Sequence, residues 1–84
     1  MATHASAEKR NRQNKIRRTR NRSERATIAS AVKRVRQLVE SGAKDEARTQ
    51  LKAASRLLDK AVNHGLVHKN NARRRISRLA QLVG

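Results

Sequence analysis

Apolar residues recur along this chain in steps of four and three, the spacing that places side chains on one face of an α-helix. The first stripe is Ile28, Val32, Val35 and Val39. The second is Ala47, Leu51, Ala54, Leu58 and Ala61, widened by Leu57 and Val62, and the third is Ala72, Ile76, Leu79 and Val83. Gly42 and Gly65 fall between the stripes, and no proline interrupts any of them. The pattern predicts helices over residues 6–41, 43–64 and 70–83. Ser6 is the expected N-cap of the first, with Glu8 in the first turn where a negative charge suits the helix dipole. Asp45 and Glu46 serve the second helix in the same way, and Asn70 is the expected cap of the third. Ser41-Gly42 supplies a stop, and Gly65 another, with Leu66 folding back on the preceding turn as in a Schellman motif. Three amphipathic helices joined by short turns make an all-α, antiparallel three-helix bundle. At ~1.5 Å per residue the first helix would be about 50 Å long. Its stripe occupies only the second half, so the first half extends beyond the bundle. The 84 residues make one domain, residues 1–84.

Charge changes this picture more than anything else. Twenty-two Lys and Arg against six Asp and Glu leave a net charge of +16, which a compact globule holds only with counter-charge from elsewhere. Between residues 8 and 25 stand Lys9, Arg10, Arg12, Lys15, Arg17, Arg18, Arg20, Arg22 and Arg25. At 100° per residue they surround the helix, leaving no apolar face to bury. Like charges three and four residues apart destabilise such a helix in isolation, and phosphates approaching from more than one side reverse the sign. A disordered basic tail is the bland alternative, and it too binds nucleic acid. The second helix carries Lys44, Arg48, Lys52, Arg56 and Lys60, a row that reads equally as a solvated basic face or as a further contact surface. In the third, Arg73, Arg74 and Arg75 follow Lys69 and Asn70 at a helix N-terminus, where free backbone amides also suit phosphate, and Arg78 lies opposite the stripe.

Composition excludes several functions. With no Phe, Tyr or Trp the chain has no platform for stacking single-stranded bases. With no Cys it has neither disulfides nor thiolate zinc sites, which fits a reducing compartment. His64 and His68 are close in sequence but lack a third ligand, so no metal is expected; His68 is read as a turn residue donating to backbone or phosphate. Asp45, Glu46 and Asp59 are dipole and ion-pair partners on polar faces. There is no phosphate-cradling glycine loop and no nucleophile paired with a base. The expectation is a protein that is not an enzyme and uses no cofactor or small-molecule substrate. No apolar run reaches the length of a signal sequence or a membrane span, so a soluble intracellular protein with no membrane partner is expected.

Two stretches carry a family resemblance. Ser6-Ala7-Glu8-Lys9-Arg10-Asn11-Arg12-Gln13, with Arg17-Arg18 and Arg20-Asn21, resembles the opening of the bacterial ribosomal protein S-twenty family. Asp59-Lys60-Ala61, then Leu66-Val67-His68-Lys69-Asn70, Ala72-Arg73-Arg74 and Ser77-Arg78-Leu79, is similar to that family's second signature. A His-Lys-Asn turn leading into an Arg-rich helix is the more specific of the two. The resemblance implies a structural component of the small (30S) ribosomal subunit, bound directly to 16S ribosomal RNA and bridging several RNA helices during assembly. It implies a cytoplasmic protein, monomeric within the ribosome. It carries over Lys9, Arg10, Arg12, Arg17, Arg18, Arg20, Asn21, His68, Lys69, Asn70, Arg73, Arg74 and Arg78 as RNA contacts; Lys15, Arg22 and Arg25 join them on charge alone. The segment from Ala26 to Ala31 lacks the Arg-Thr pattern of the family, and no contact is carried over from it.

Three rival readings fit less of the chain. An Arg-rich, acid-poor N-terminus has the composition of a transit peptide, but here the basic stretch runs into the core pattern without a break. A basic-region zipper needs more heptads than the span from Ile28 to Val39 provides, and would leave two helices without a role. A membrane-active amphipathic helix needs charge and apolar face on one segment, with aromatic anchors.

Overall fold

The computed structural model describes residues 4–84, which form three α-helices: α1 His4–Glu40, α2 Lys44–Asn63 and α3 Lys69–Val83. α1 is unbroken over 37 residues, about 55 Å at the usual rise. Within α1, Thr19 and Thr27 donate their hydroxyls to the carbonyls of Lys15 and Ser23, four residues back, at 3.0 and 2.9 Å. α1 is already helical at His4, so Ser6 lies inside its first turn rather than capping it.

Both connections are Schellman turns. After α1, Gly42 N–H bonds to Val39 O (3.1 Å) and Ala43 N–H to Leu38 O (2.9 Å), with Gly42 at φ +81. After α2, Gly65 N–H bonds to Val62 O (3.0 Å) and Leu66 N–H to Ala61 O (2.9 Å), with Gly65 at φ +72. A side chain at either position would strain the left-handed backbone, which is why glycine ends both helices. Leu66 then packs on the core cluster that contains Ala61, as its place after the glycine requires.

The third helix starts differently from expectation. His68, in extended backbone, is the N-cap, and its Nδ1 accepts from the Asn70 N–H at 3.1 Å. Asn70 lies within the first turn, and His68 is an acceptor here rather than the donor expected of it. An imidazole nitrogen replaces the usual side-chain oxygen in satisfying one of the orphan amides.

The core is slim and entirely apolar among the described residues. Toward the α1–α2 turn it comprises Ala31, Val35, Leu38, Ala47, Ala54, Leu79 and Val83; toward the α2–α3 turn it comprises Ile28, Leu58, Ala61 and Ala72. Val32 and Leu57, half-buried, pack against both groups. The alanines at 31, 47, 54, 61 and 72 let the helices approach closely, while Leu58 and Val35 are the large side chains lost completely from solvent. The stripe on α1 is broader than its apolar spacing suggested, because Ala31 and Leu38 are buried with Ile28 and Val35, while Val32 and Val39 lie at its edge.

No residue of α1 before Ile28 belongs to this apolar core, and the last half-buried positions of α1 before its exposed stretch are Glu24 and Asn21, so the helix leaves the bundle there. The described chain measures 60 × 22 × 13 Å with a radius of gyration of 17.2 Å. A compact globule of this length has a radius near ~12 Å. The difference is the projecting half of α1.

Candidate nucleic-acid interface

From Ser6 to Arg20 every residue of α1 is exposed. Lys9, Arg10, Arg12, Lys15, Arg17, Arg18 and Arg20, followed by exposed Arg22 and Arg25, therefore present cations on all sides of a bare rod. Asn21 is half-buried, at the root of the arm where α1 meets the bundle. The arm carries one large apolar side chain, Ile16, 68% exposed among these cations. A branched aliphatic side chain that far from the core has nothing among the described residues to cover it.

The second expected cluster lies at the start of α3. Lys69 and Asn70 form its first turn, His68 caps it, and Arg73 and Arg74 follow, all exposed. Ala72 and Leu79 turn into the core, which forces their neighbours Arg73, Arg74 and Arg78 outward. The row Lys44, Arg48, Lys52, Arg56 and Lys60 is exposed along α2 as expected, with one weak ion pair between Arg48 and Asp45 at 3.9 Å.

One polar contact joins the two expected clusters. Glu24, at the root of the arm, meets His64, the C-cap of α2, with 2.5 Å between Oε1 and Nδ1. Glu24 and His64 side chains are 22% and 37% exposed, so the contact is partly shielded. It holds the turn that leads to His68, Lys69 and Asn70 alongside the arm. The second carboxylate oxygen of Glu24 is buried without a hydrogen-bond partner, beside a small cavity that Ser23, Thr27 and Lys60 also line. Neither Glu24 nor this role of His64 was legible from spacing, because forty residues separate them.

A third basic surface was also missed. α1 and α3 leave an open groove of about 970 Å³ between them, with Arg25, Lys33 and Arg36 on one wall and Arg75 and Arg78 on the other. The signal was present as a row on α1 (Arg25, Ala29, Lys33, Arg36) one step round from the apolar stripe. Nothing in one helix reveals that this flank, and not the other, faces α3. Among the described residues no group of His and acidic side chains could hold a metal ion, and no helix is long and apolar enough to cross a membrane.

Such a distribution of charge suits a polyanion with phosphates on several sides. Comparison with known proteins gives it a family. The profile described as Ribosomal protein S20 matches residues 2–84. The chain belongs to that family. It is 53% identical over 81 residues to the small ribosomal subunit protein bS20 of Anaeromyxobacter sp. strain Fw109-5, covering 96% of this chain and 90% of the relative. The protein of the same name from Desulfatibacillum aliphaticivorans is 47% identical over 83 residues, covering 99% and 94%. That of Desulforapulum autotrophicum is 45% identical over 84 residues, the full length of both chains. Membership in the S20 family agrees with the resemblance read from the two basic signatures. The family is one of structural ribosomal proteins and not of enzymes, as the absence of catalytic groupings in the sequence suggested.

Proposed function

We propose that this protein is a structural component of the small (30S) ribosomal subunit that binds 16S ribosomal RNA directly and bridges several of its helices during assembly. It acts as a single domain and as a monomer within the cytoplasmic ribosome. The observation that carries the reading is the bare, all-round basic arm of α1, which projects from the bundle and packs on none of the core. A rod charged on every side is stabilised where phosphates surround it, as in a crevice between packed RNA helices. The arm residues Lys9, Arg10, Arg12, Lys15, Arg17, Arg18, Arg20, Asn21, Arg22 and Arg25 contact one set of RNA helices. His68, Lys69, Asn70, Arg73, Arg74 and Arg78 contact another, and each set raises the effective concentration of the other. The imidazole of His68 keeps its Nδ1 on the Asn70 amide, which leaves the Nε2 edge for RNA.

Competition binding tests this. Full-length protein is titrated onto 16S ribosomal RNA in the presence of excess unrelated duplex RNA of equal length. Retained preference for the ribosomal RNA is the expected result, with affinity falling by about 0.7–0.9 log units per contacted phosphate for each tenfold rise in salt. Equal binding to both RNAs, or a flat salt dependence, would leave only a general basic protein.

A further inference from the structure

We propose that the groove between α1 and α3, which runs between Arg25 of the arm set and Arg78 of the α3 set, holds one strand of sugar–phosphate backbone; this rests on the ribosomal RNA reading above and extends its contact surface to Lys33, Arg36 and Arg75. The walls carry Arg25, Lys33 and Arg36 from α1 and Arg75 and Arg78 from α3, all exposed, against a single carboxylate, Glu40, also among the lining residues. Cations facing one another across a concave surface repel, and the low-dielectric wall between them focuses the positive potential into the cleft. An anion in the groove relieves that repulsion.

The floor selects which anion. It is aliphatic, made by Ile28, Val32, Leu79 and Leu82, and Leu82 remains 48% exposed. A free phosphate ion would gain nothing from such a floor. A nucleic-acid strand alternates anionic phosphates with less polar ribose faces, which matches a basic rim above an aliphatic base. The cations stand on both walls of one open trough, so the groove takes a single strand or one exposed phosphate ridge. With no aromatic residue in the chain, the floor contacts sugars and base edges rather than stacking bases. An acidic amphipathic helix is the rival occupant, and the same experiment separates it.

The chain has no cysteine, so a single introduced thiol carries a probe to a known place. Ala29→Cys puts it in the groove at an exposed position, and Ala53→Cys puts it on α2 outside the groove. Each variant is loaded with a tethered iron–EDTA reagent and bound to 16S ribosomal RNA. Position 29 is expected to cleave a short contiguous run on one strand that position 53 does not cut. In parallel, the triple variant Lys33→Gln, Arg36→Gln, Arg75→Gln, all at exposed sites, is expected to keep its helicity. Its log–log salt slope should be shallower by about 2–3, at roughly 1 for each phosphate no longer neutralised. If the triple variant binds the RNA with unchanged slope and position 29 cuts nothing, the groove does not hold RNA, and an acidic protein segment becomes the occupant to seek. If the unsubstituted protein shows no preference for this RNA, the ribosomal reading itself fails, which is a different result.

Discussion

At the residue scale, His68 holds the start of α3 by accepting the Asn70 amide on a ring nitrogen. Asn is a favoured capping residue and His is not, so spacing alone places the cap at Asn70. The two assignments predict opposite mutants. His68→Ala should destabilise the bundle by about 0.5–2 kcal/mol, the range for losing an N-cap. Asn70→Ala should leave the melting temperature nearly unchanged. In a chain this small, each kcal/mol moves the midpoint by about 4–8 °C, so thermal melts followed by circular dichroism resolve the difference. A larger fall for Asn70→Ala would reinstate the first assignment. Leu58 is the other decisive residue, fully buried with Ile28, Ala61 and Ala72 at the centre of its core cluster. Leu58→Ala should cost about 2–5 kcal/mol, within reach of the whole stability of so slim a core. The expected outcome is a broad, low-temperature melt that bound RNA sharpens and raises.

At the scale of elements, α1 is two helices in one. From Ile28 onward it is held by tertiary packing, while its first half relies on hydrogen bonding along the helix against mutually repelling cations. Helicity of residues 8–22 should therefore rise with ionic strength, because salt screens the i,i+4 repulsion. Amide chemical shifts measured from low to moderate salt check this; shifts that are fully helical and salt-independent would contradict it. The junction between the halves is marked by Glu24 against His64. Glu24→Ala is expected to weaken RNA binding without altering the salt slope, because it removes alignment of the two basic sets and no phosphate contact. A change in slope would show that Glu24 acts through the charge of the arm instead.

For the whole molecule, the question is whether arm and bundle are separable. The apolar core begins at Ile28, so deletion of residues 1–22 should preserve a cooperative melt, and it spares Glu24 and its contact with His64. The same deletion removes Lys9, Arg10, Arg12, Lys15, Arg17, Arg18, Arg20 and Arg22. Affinity for 16S ribosomal RNA should then fall by at least about 100-fold at moderate salt, with a shallower salt slope. Loss of the melt would mean that the arm takes part in folding; undiminished affinity would remove it from the interface.

The helical class, the number of helices, both glycine stops and the exposure of the basic arm were determined by local pattern alone. Periodicity, left-handed turn positions and all-round charge are properties of neighbouring residues, and neighbouring residues suffice to express them. Tertiary structure decided what depends on how the helices face one another. Ala31 and Leu38 entered the core because α2 and α3 cover a wider arc of α1 than its Val and Ile spacing marks. Glu24 met His64 across forty residues of chain, and the cap of α3 was set by where the turn after Gly65 releases the chain. Lys33, Arg36 and Arg75 became the walls of one groove only because those particular flanks of α1 and α3 are opposed. A helix carries its own periodicity in sequence, but its rotation about its axis relative to a neighbour is settled by packing, and the buried Ala31 and Leu38, the Glu24–His64 contact and the groove all depend on that rotation.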